Sequence, residues 1–473
     1  MSIINMDYWE LRKIASQLVP REMRLPGLDG YKMKEKGRKS NYQQFNLATQ
    51  EMDRMERLLD VGGISSFAEV SLRAQSCPMP LNIDVWDGLQ CPYKCQYCFA
   101  DYFRHSLYTS FFDNSKEIGL RSCSEEFYKK ELDKLMPHVG ESVSGENTVI
   151  NAVRLKIPMR LGIRFEDFHP KERKTGVSLG LLKYLAAAHY PIMINTKSDL
   201  PGMEPYIDVL SSNPARSAVH ITLISSDEEF LKSIEPGAPS FERRIAAAKS
   251  LVDAGVRVVA RIEPWMMFLN DSRDSVEEYI GRILEAGIQY MTFDSYSYSA
   301  YSKGIAENFY QRGWDFERMF ALSSDSQWLS SLFLGAFMDL FRKAGLLVNT
   351  FDQGNVPDNP DVICCSVGDW FGETGSRFNL GCGVGAIKFI QSKKGQPVTW
   401  TEFENYVLKE AGWLSQQLRK EVYMLWNGAG DAAWPIYWAK GLEAIGSDVS
   451  GTIWRYNEGD DFRLQMLREG GLL

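Results

Sequence analysis

From about residue 80 onward, short apolar runs rich in β-branched residues alternate with longer stretches whose apolar positions recur every three or four residues. LNIDV (81–85) leads into a cysteine-bearing loop. MRLGI (159–163) precedes VSLGLLKYLAAAH, and PIMINT (191–196) precedes GMEPYIDVLSS. AVHITLI (218–224) precedes SFERRIAAAKSLVDAG, RVVARI (257–262) precedes SVEEYIGRILEAG, and YMTFD (290–294) runs into a longer connection. Short bounded runs predict strands and the three-and-four pattern predicts helices, so their alternation predicts a parallel sheet with helical crossovers. The clearest helix spans 240–254: Ser240 after Pro239 offers an N-cap, Ile245, Ala248 and Val252 share a face, and Ala254-Gly255 ends it. Six such units fall short of the eight that close a full barrel. The predicted fold is therefore α/β, an open, partial (β/α)6 barrel over residues 76–344, with chemistry at the C-terminal strand ends. Residues 1–75 read as a mostly helical, polar extension. Residues 345–473 are rich in Trp and Gly, lose the rhythm, and read as an α-rich or α+β capping or substrate module.

Composition adds little beyond a large core: 473 residues, 44% apolar and 24% charged. A net charge of −8 argues against a surface built throughout to hold nucleic acid. One run departs from it, YKMKEKGRKS (31–40), where Lys32, Lys34, Lys36, Arg38 and Lys39 face a single Glu35. It is either a solvated stretch or a phosphate-contacting arm. The start, MSIINMDYWELRK, lacks a charged-then-apolar leader, and Asp339, Arg342 and Lys343 interrupt the most apolar stretch, WLSSLFLGAFMDLFRKAGLLV. The expectation is a cytoplasmic protein with no membrane contact, in which clustered cysteines serve metal binding or catalysis rather than disulfides.

Three of the eight cysteines crowd into DGLQCPYKCQYCFADYF (87–103), as Cys91, Cys95 and Cys98. A structural zinc site wants four closed ligands, commonly as paired C-x2-C; C-x3-C-x2-C offers three. Three thiolates on a four-iron, four-sulfur cube leave one iron free to chelate a small molecule through an amine and a carboxylate. A zinc-stabilised binding module is the alternative from outside catalysis.

Cys91-x3-Cys95-x2-Cys98, with Tyr97 before the last cysteine and the loop following the first strand, resembles the radical S-adenosylmethionine (SAM) superfamily. Further stretches resemble its spore photoproduct lyase-related branch over roughly residues 80–300: RFEDFHPKE, INTKSDLP, and VHITLISSDEEFLKSIEPGAPSFERRIAAAKSLVDAGVRVVARIEPWMMFLND. The resemblance implies a [4Fe-4S] cluster on Cys91, Cys95 and Cys98, with SAM on the open iron cleaved to a 5′-deoxyadenosyl radical. It also implies Lys197 and Ser198 near the SAM carboxylate, Thr222 touching SAM, Arg261 facing SAM or substrate, and the Tyr97 carbonyl at the adenine amino group. The turn Phe165-Glu166-Asp167-Phe168-His169-Pro170 departs from the branch pattern; it reads as a SAM-binding or substrate-gating turn, with Glu166 as the cofactor contact.

Cys364, Cys365 and Cys382 suggest an auxiliary iron–sulfur cluster, with Cys77 or Cys123 as a further ligand. Alternatively Cys365, Tyr296 or Tyr298 delivers a hydrogen atom to a product radical, although alternating tyrosines also suit a packed strand. The class implies a one-electron reductant, flavodoxin or ferredoxin. The branch points to a nucleobase or modified nucleotide in DNA as substrate, with lyase or isomerase chemistry; the acidic charge points instead to a peptide or small metabolite.

Overall fold

In this computed structural model the described residues are 7–18, 71–72, 81–87, 91–98, 120–144, 147–163, 165–296, 303–316, 327–350, 365–371, 383–410, 422–424, 426–427 and 442–456. The basic run 31–40, Cys77, Tyr298, Cys364 and Cys382 lie outside them.

The central sheet has eight strands in sequence order: β1 (Ser71–Leu72), β2 (Leu81–Asn82), β3 (Met159–Leu161), β4 (Ile192–Thr196), β5 (Ser217–Thr222), β6 (Arg257–Trp265), β7 (Tyr290–Ser295) and β8 (Leu347–Thr350). β1 pairs antiparallel with β2, and every later pair is parallel. The six expected strands are all present, and β8 adds a seventh parallel one, so the sheet continues past residue 345. Helices cross between strands, as parallel pairing demands. They include α2 (Val177–Ala187), α3 (Tyr206–Ser212), α4 (Glu228–Ile234), α5 (Phe241–Asp253), α6 (Arg273–Glu285) and α7 (Gln327–Lys343). The Ser240 side chain caps α5 by accepting from Arg243 N at 3.3 Å, and Gly255 leaves it at φ +79°, where a side chain would be strained.

Register divides the sheet into two unlike faces. Ile192, Ile194, Val219, Ile221, Val258, Ala260, Ile262, Met291 and Phe293 belong to the main apolar core under the helices. The other face carries Asn82, Arg160, Asn195, His220, Thr222, Arg261, Thr292 and Asn349, all buried or nearly so and mostly polar. Asn82 pairs with Arg160, Asn195 with His220, Thr222 with Arg261, and Arg261 with Thr292. The concave side is therefore a polar interior.

Its floor is closed by residues 365–371. Val367 packs with Met193, Ala218 and Val259 in a small apolar layer that Cys365, Tyr290, Trp370 and Phe371 border. Trp370 donates from Nε1 to the Ser217 carbonyl at 2.9 Å, and Arg257 pairs with Asp369 at 3.0 Å while lying over the Trp370 and Tyr290 rings. Ser217 and Arg257 open their strands, so this plug sits at the N-terminal end of the sheet.

Helix α1 (Tyr8–Leu18) docks on the barrel. Tyr8 donates to Asp271, Arg12 pairs with the same carboxylate at 3.1 Å, and Tyr8 packs against Phe337 of α7. Beyond the barrel, α8 (Gly383–Ser392) and α9 (Trp400–Glu410) meet the hairpin β9 (Leu442–Asp448) and β10 (Gly451–Tyr456). Phe403 stacks on Trp426 there, and Trp454 is buried. Among the described residues no helix is long and apolar enough to cross a membrane.

Candidate active site: a cysteine loop at the mouth of a polar barrel

The loop 91–98 is folded by its own backbone and by the segment after α4. Lys94 N donates to the Cys91 carbonyl and Cys98 N to the Cys95 carbonyl, both at 3.2 Å. Gln96 N reaches the Ile234 carbonyl at 2.8 Å, and Gly237 N reaches the Tyr93 carbonyl at 3.0 Å. Gly237 is required by that approach, because a Cβ there would overlap the Pro92 carbonyl. The EPGAP stretch is thus a brace for the cysteine loop.

Three thiols and one ammonium gather here. Burial pushes the Cys95 thiol well above its usual value, while the Lys197 ammonium pulls it back and Glu235, Cys98 and Cys91 push it further up. Burial alone would lower Lys197, but Cys95, Glu235, Cys98 and Glu166 outweigh it and raise it. Its Nζ also lies 5.3 Å from the centre of the Tyr97 ring. Soft thiolates beside a half-buried cation suit an anionic iron–sulfur cluster. Among the described residues no three His, Cys, Asp or Glu side chains gather as ligands of one metal ion. A cube, whose thiolates bind separate irons, does not require that.

Lys197 is placed by Glu166. The buried carboxylate accepts from Lys197 N at 2.8 Å, Thr196 Oγ1 at 2.6 Å and Phe168 N at 3.1 Å. Both oxygens are thus engaged with protein donors, and Glu166 acts on the site through the position of Lys197. Ser198 is engaged similarly: its Oγ accepts from Leu200 N at 3.1 Å and its backbone N–H reaches Thr196 Oγ1 at 2.8 Å. The neighbouring carboxylates also organise backbone. Asp167 accepts from Val85 N, Trp86 N and Gly162 N, and Asp84 accepts from Gly162 N and Ile163 N.

His169 completes this turn. Its Nδ1 accepts from Lys171 N at 3.2 Å and its ring stands edge-on to Trp86. Burial, then the Lys171 charge, pulls it down to about 4 from 6.5. The unfolded chain therefore takes up this proton first, and stability is lost as pH falls from the unfolded pKa through the folded one. At about 1.4 kcal/mol per unit, discounted for solvent screening, the loss is on the order of 2 kcal/mol. His169→Asn keeps an acceptor for Lys171 N. Urea unfolding at pH 7 and pH 4.5 is expected to show a smaller acid loss for it than for the wild type; equal losses refute the assignment.

Thr222 and Arg261 face the interior as register partners. Arg261 pairs with Glu263, which also accepts from Thr292 Oγ1 at 2.7 Å. The sequence reading missed Glu263 and His220. Burial, then Arg261 and Arg160, holds His220 well below its usual value, so its ring is neutral at pH 7, and it hydrogen-bonds to the Cys365 backbone. Within the interior Asn195 Oδ1, His220 Nε2 and Arg261 Nε have no hydrogen-bond partner among the described residues. Cys365 lies at the floor plug, whereas Tyr296 is buried just past β7, its N–H on the Trp265 carbonyl at 2.9 Å. Cys123 is buried with its N–H on the Val85 carbonyl at 3.0 Å, its thiol pushed up to about 12 by burial and then by Asp167.

No family model matches the chain. Uncharacterized proteins of Mycobacterium tuberculosis and Mycobacterium bovis are 21% identical to it over 214 residues, 45% of this chain and 58% of theirs, so the match spans little more than half of those relatives. Among solved structures, spore photoproduct lyase complexed with dinucleoside spore photoproduct is 15% identical, covers 51% of this chain and 63% of that one, and has a TM-score of 0.34. SuiB of Streptococcus suis, bound to S-adenosylmethionine, is 15% identical, covers 65% of this chain and 61% of that one, and has a TM-score of 0.36. This chain is a mixed α/β protein built on seven parallel strands.

Proposed function

We propose that the chain is a radical SAM enzyme, with Cys91, Cys95 and Cys98 holding a [4Fe-4S] cluster and SAM bound above the polar interior. The observation that carries this reading is the three-thiol loop beside half-buried Lys197, at the C-terminal mouth of a parallel sheet. When bound, the cluster and SAM supply one-electron cleavage to a 5′-deoxyadenosyl radical, which abstracts hydrogen from substrate.

The chain's own groups bind and orient. The Lys197 ammonium would pair with the SAM carboxylate, held there by Glu166 and by the turn through Ser198. Thr222 and Arg261 would line the SAM pocket from β5 and β6, and the Tyr97 carbonyl would accept from the adenine amino group. Tyr296 above and Cys365 below are the described candidates for returning a hydrogen atom. The polar interior suits a hydrogen-bonding substrate, and the motif resemblance favours a nucleobase or modified nucleotide, with lyase or isomerase chemistry. A peptide or small metabolite is the second reading, favoured by the net charge of −8. A flavodoxin or ferredoxin would deliver the electron.

Anaerobically reconstituted protein with SAM and dithionite is expected to release 5′-deoxyadenosine, and the Cys91/Cys95/Cys98→Ala variant none. Stimulation by thymine-rich DNA, with a steep salt dependence, selects the nucleic-acid substrate. Iron-replete wild type that releases no product refutes the reading, and stoichiometric zinc without sulfide revives the binding module.

A further inference from the structure

The brace behind the cysteine loop contains a buried ion pair that the chemistry above does not use. Glu235 ends α4 and Arg244 lies on α5; their side chains meet at 2.7 Å and are 0% and 1% exposed. The Tyr97 hydroxyl, one residue before Cys98, donates to the other Glu235 oxygen. Arg244 Nη1 donates to the Thr222 carbonyl at 2.8 Å. A continuous run therefore links Tyr97, Glu235, Arg244 and the last residue of β5. It ties the loop with the thiols to the strand end that lines the interior.

Such a pair is an unlikely choice for stability alone, since an apolar pair of equal volume often does as well. Its position supplies a different reason. Glu235 is close enough to act electrostatically on both Cys95 and Lys197, so a fixed negative charge stands beside the thiol loop, paired with the Arg244 cation, whose field also reaches Cys95 and Tyr97. Fixed charges near an iron–sulfur centre tune its reduction potential, along with hydrogen bonds and exposure.

We propose that Glu235 and Arg244 are positioning residues that fix the cysteine loop against β5 and set the potential of the cluster it holds. This rests on the radical SAM reading. Glu235 keeps the potential low by opposing added negative charge, and Arg244 limits that effect by balancing it. Tyr97 locks the carboxylate to the loop, so the charge stays at a constant place relative to the thiols.

Two substitutions separate charge from reach. Glu235→Gln keeps the length and removes the charge, leaving Arg244 uncompensated. Glu235→Asp keeps the charge but is too short to hold Tyr97 and Arg244 together. Potentiometric titration followed by electron paramagnetic resonance is expected to show Glu235→Gln shifted upward by about 60 mV or more. That is the one-electron equivalent of tenfold in the reduced-to-oxidised ratio. Glu235→Asp is expected to keep a near-native potential yet lose iron to a chelator at least threefold faster. The double variant Glu235→Gln/Arg244→Met, which removes both charges of the pair, guards against misfolding of the single variant and is expected to reverse most of the shift. A potential unchanged in both Gln-bearing proteins overturns the proposal. Wild type that holds no iron and sulfide after reconstitution overturns the radical SAM reading itself, and this inference with it.

Discussion

Gly162→Ala is expected to cost roughly 4 kcal/mol of folding stability, near the upper end for a single substitution. Gly162 follows β3 at φ +78°, and a Cβ there would overlap the Asn195 carbonyl oxygen on β4. The backbone conformation alone accounts for about 1 kcal/mol. The remainder is steric, because β3 and β4 must separate and the carboxylates of Asp84 and Asp167 both hold Gly162 N. Gly176 provides the control: it has φ +66° with nothing within 4 Å of an added Cβ, so Gly176→Ala should cost only about 1 kcal/mol. Denaturant unfolding of the two variants checks this. Equal losses would show that the strand contact is unimportant.

Glu166→Ala is expected to cost about 3 kcal/mol and to lower SAM affinity of the cluster-loaded protein at least tenfold. The substitution strands the Lys197 and Phe168 N–H groups and the Thr196 hydroxyl, each of which now donates to this carboxylate; a buried donor without a partner costs about 1–3 kcal/mol, and the three are not additive. The affinity loss follows because the end of β4 that carries Lys197 is no longer tied to the neighbouring turn. Glu166→Gln retains one acceptor oxygen and should fall between the two. Calorimetric SAM titration decides the functional half: native affinity in a folded Glu166→Ala protein would show that Lys197 is placed by other contacts.

The strands were readable because each carries an apolar outer face in a short run, and α5 because Ser240 and Gly255 punctuate an unbroken three-and-four pattern. The cysteine loop was readable because its spacing is itself chemical. The role of Glu166 was not, since a carboxylate quoted in a turn looks the same whether it meets a ligand or three donors of its own chain. Nor was the polar interior. His220 and Glu263 sit at alternate strand positions that a water-facing sheet would also fill with polar residues, and only the closed concave side makes His220 buried and Glu263 half-buried. Glu235 and Arg244 lay within the quoted EPGAPSFERR stretch, but their pairing depends on how α4 turns into α5, which no periodicity reports.

The floor plug has a consequence for the order in which the protein is made. Residues 193–261 supply the apolar layer and the Arg257 side chain, while Val367, Asp369 and Trp370 emerge from the ribosome more than a hundred residues later, Arg257 and Asp369 being 112 positions apart. Until then the nascent sheet has a wet lower opening and an unmatched guanidinium at the start of β6. Completion of the barrel is thus a late event in synthesis, and a ribosome-stalled chain ending before the plug should remain protease-sensitive across β4–β6 even with all its parallel strands already translated.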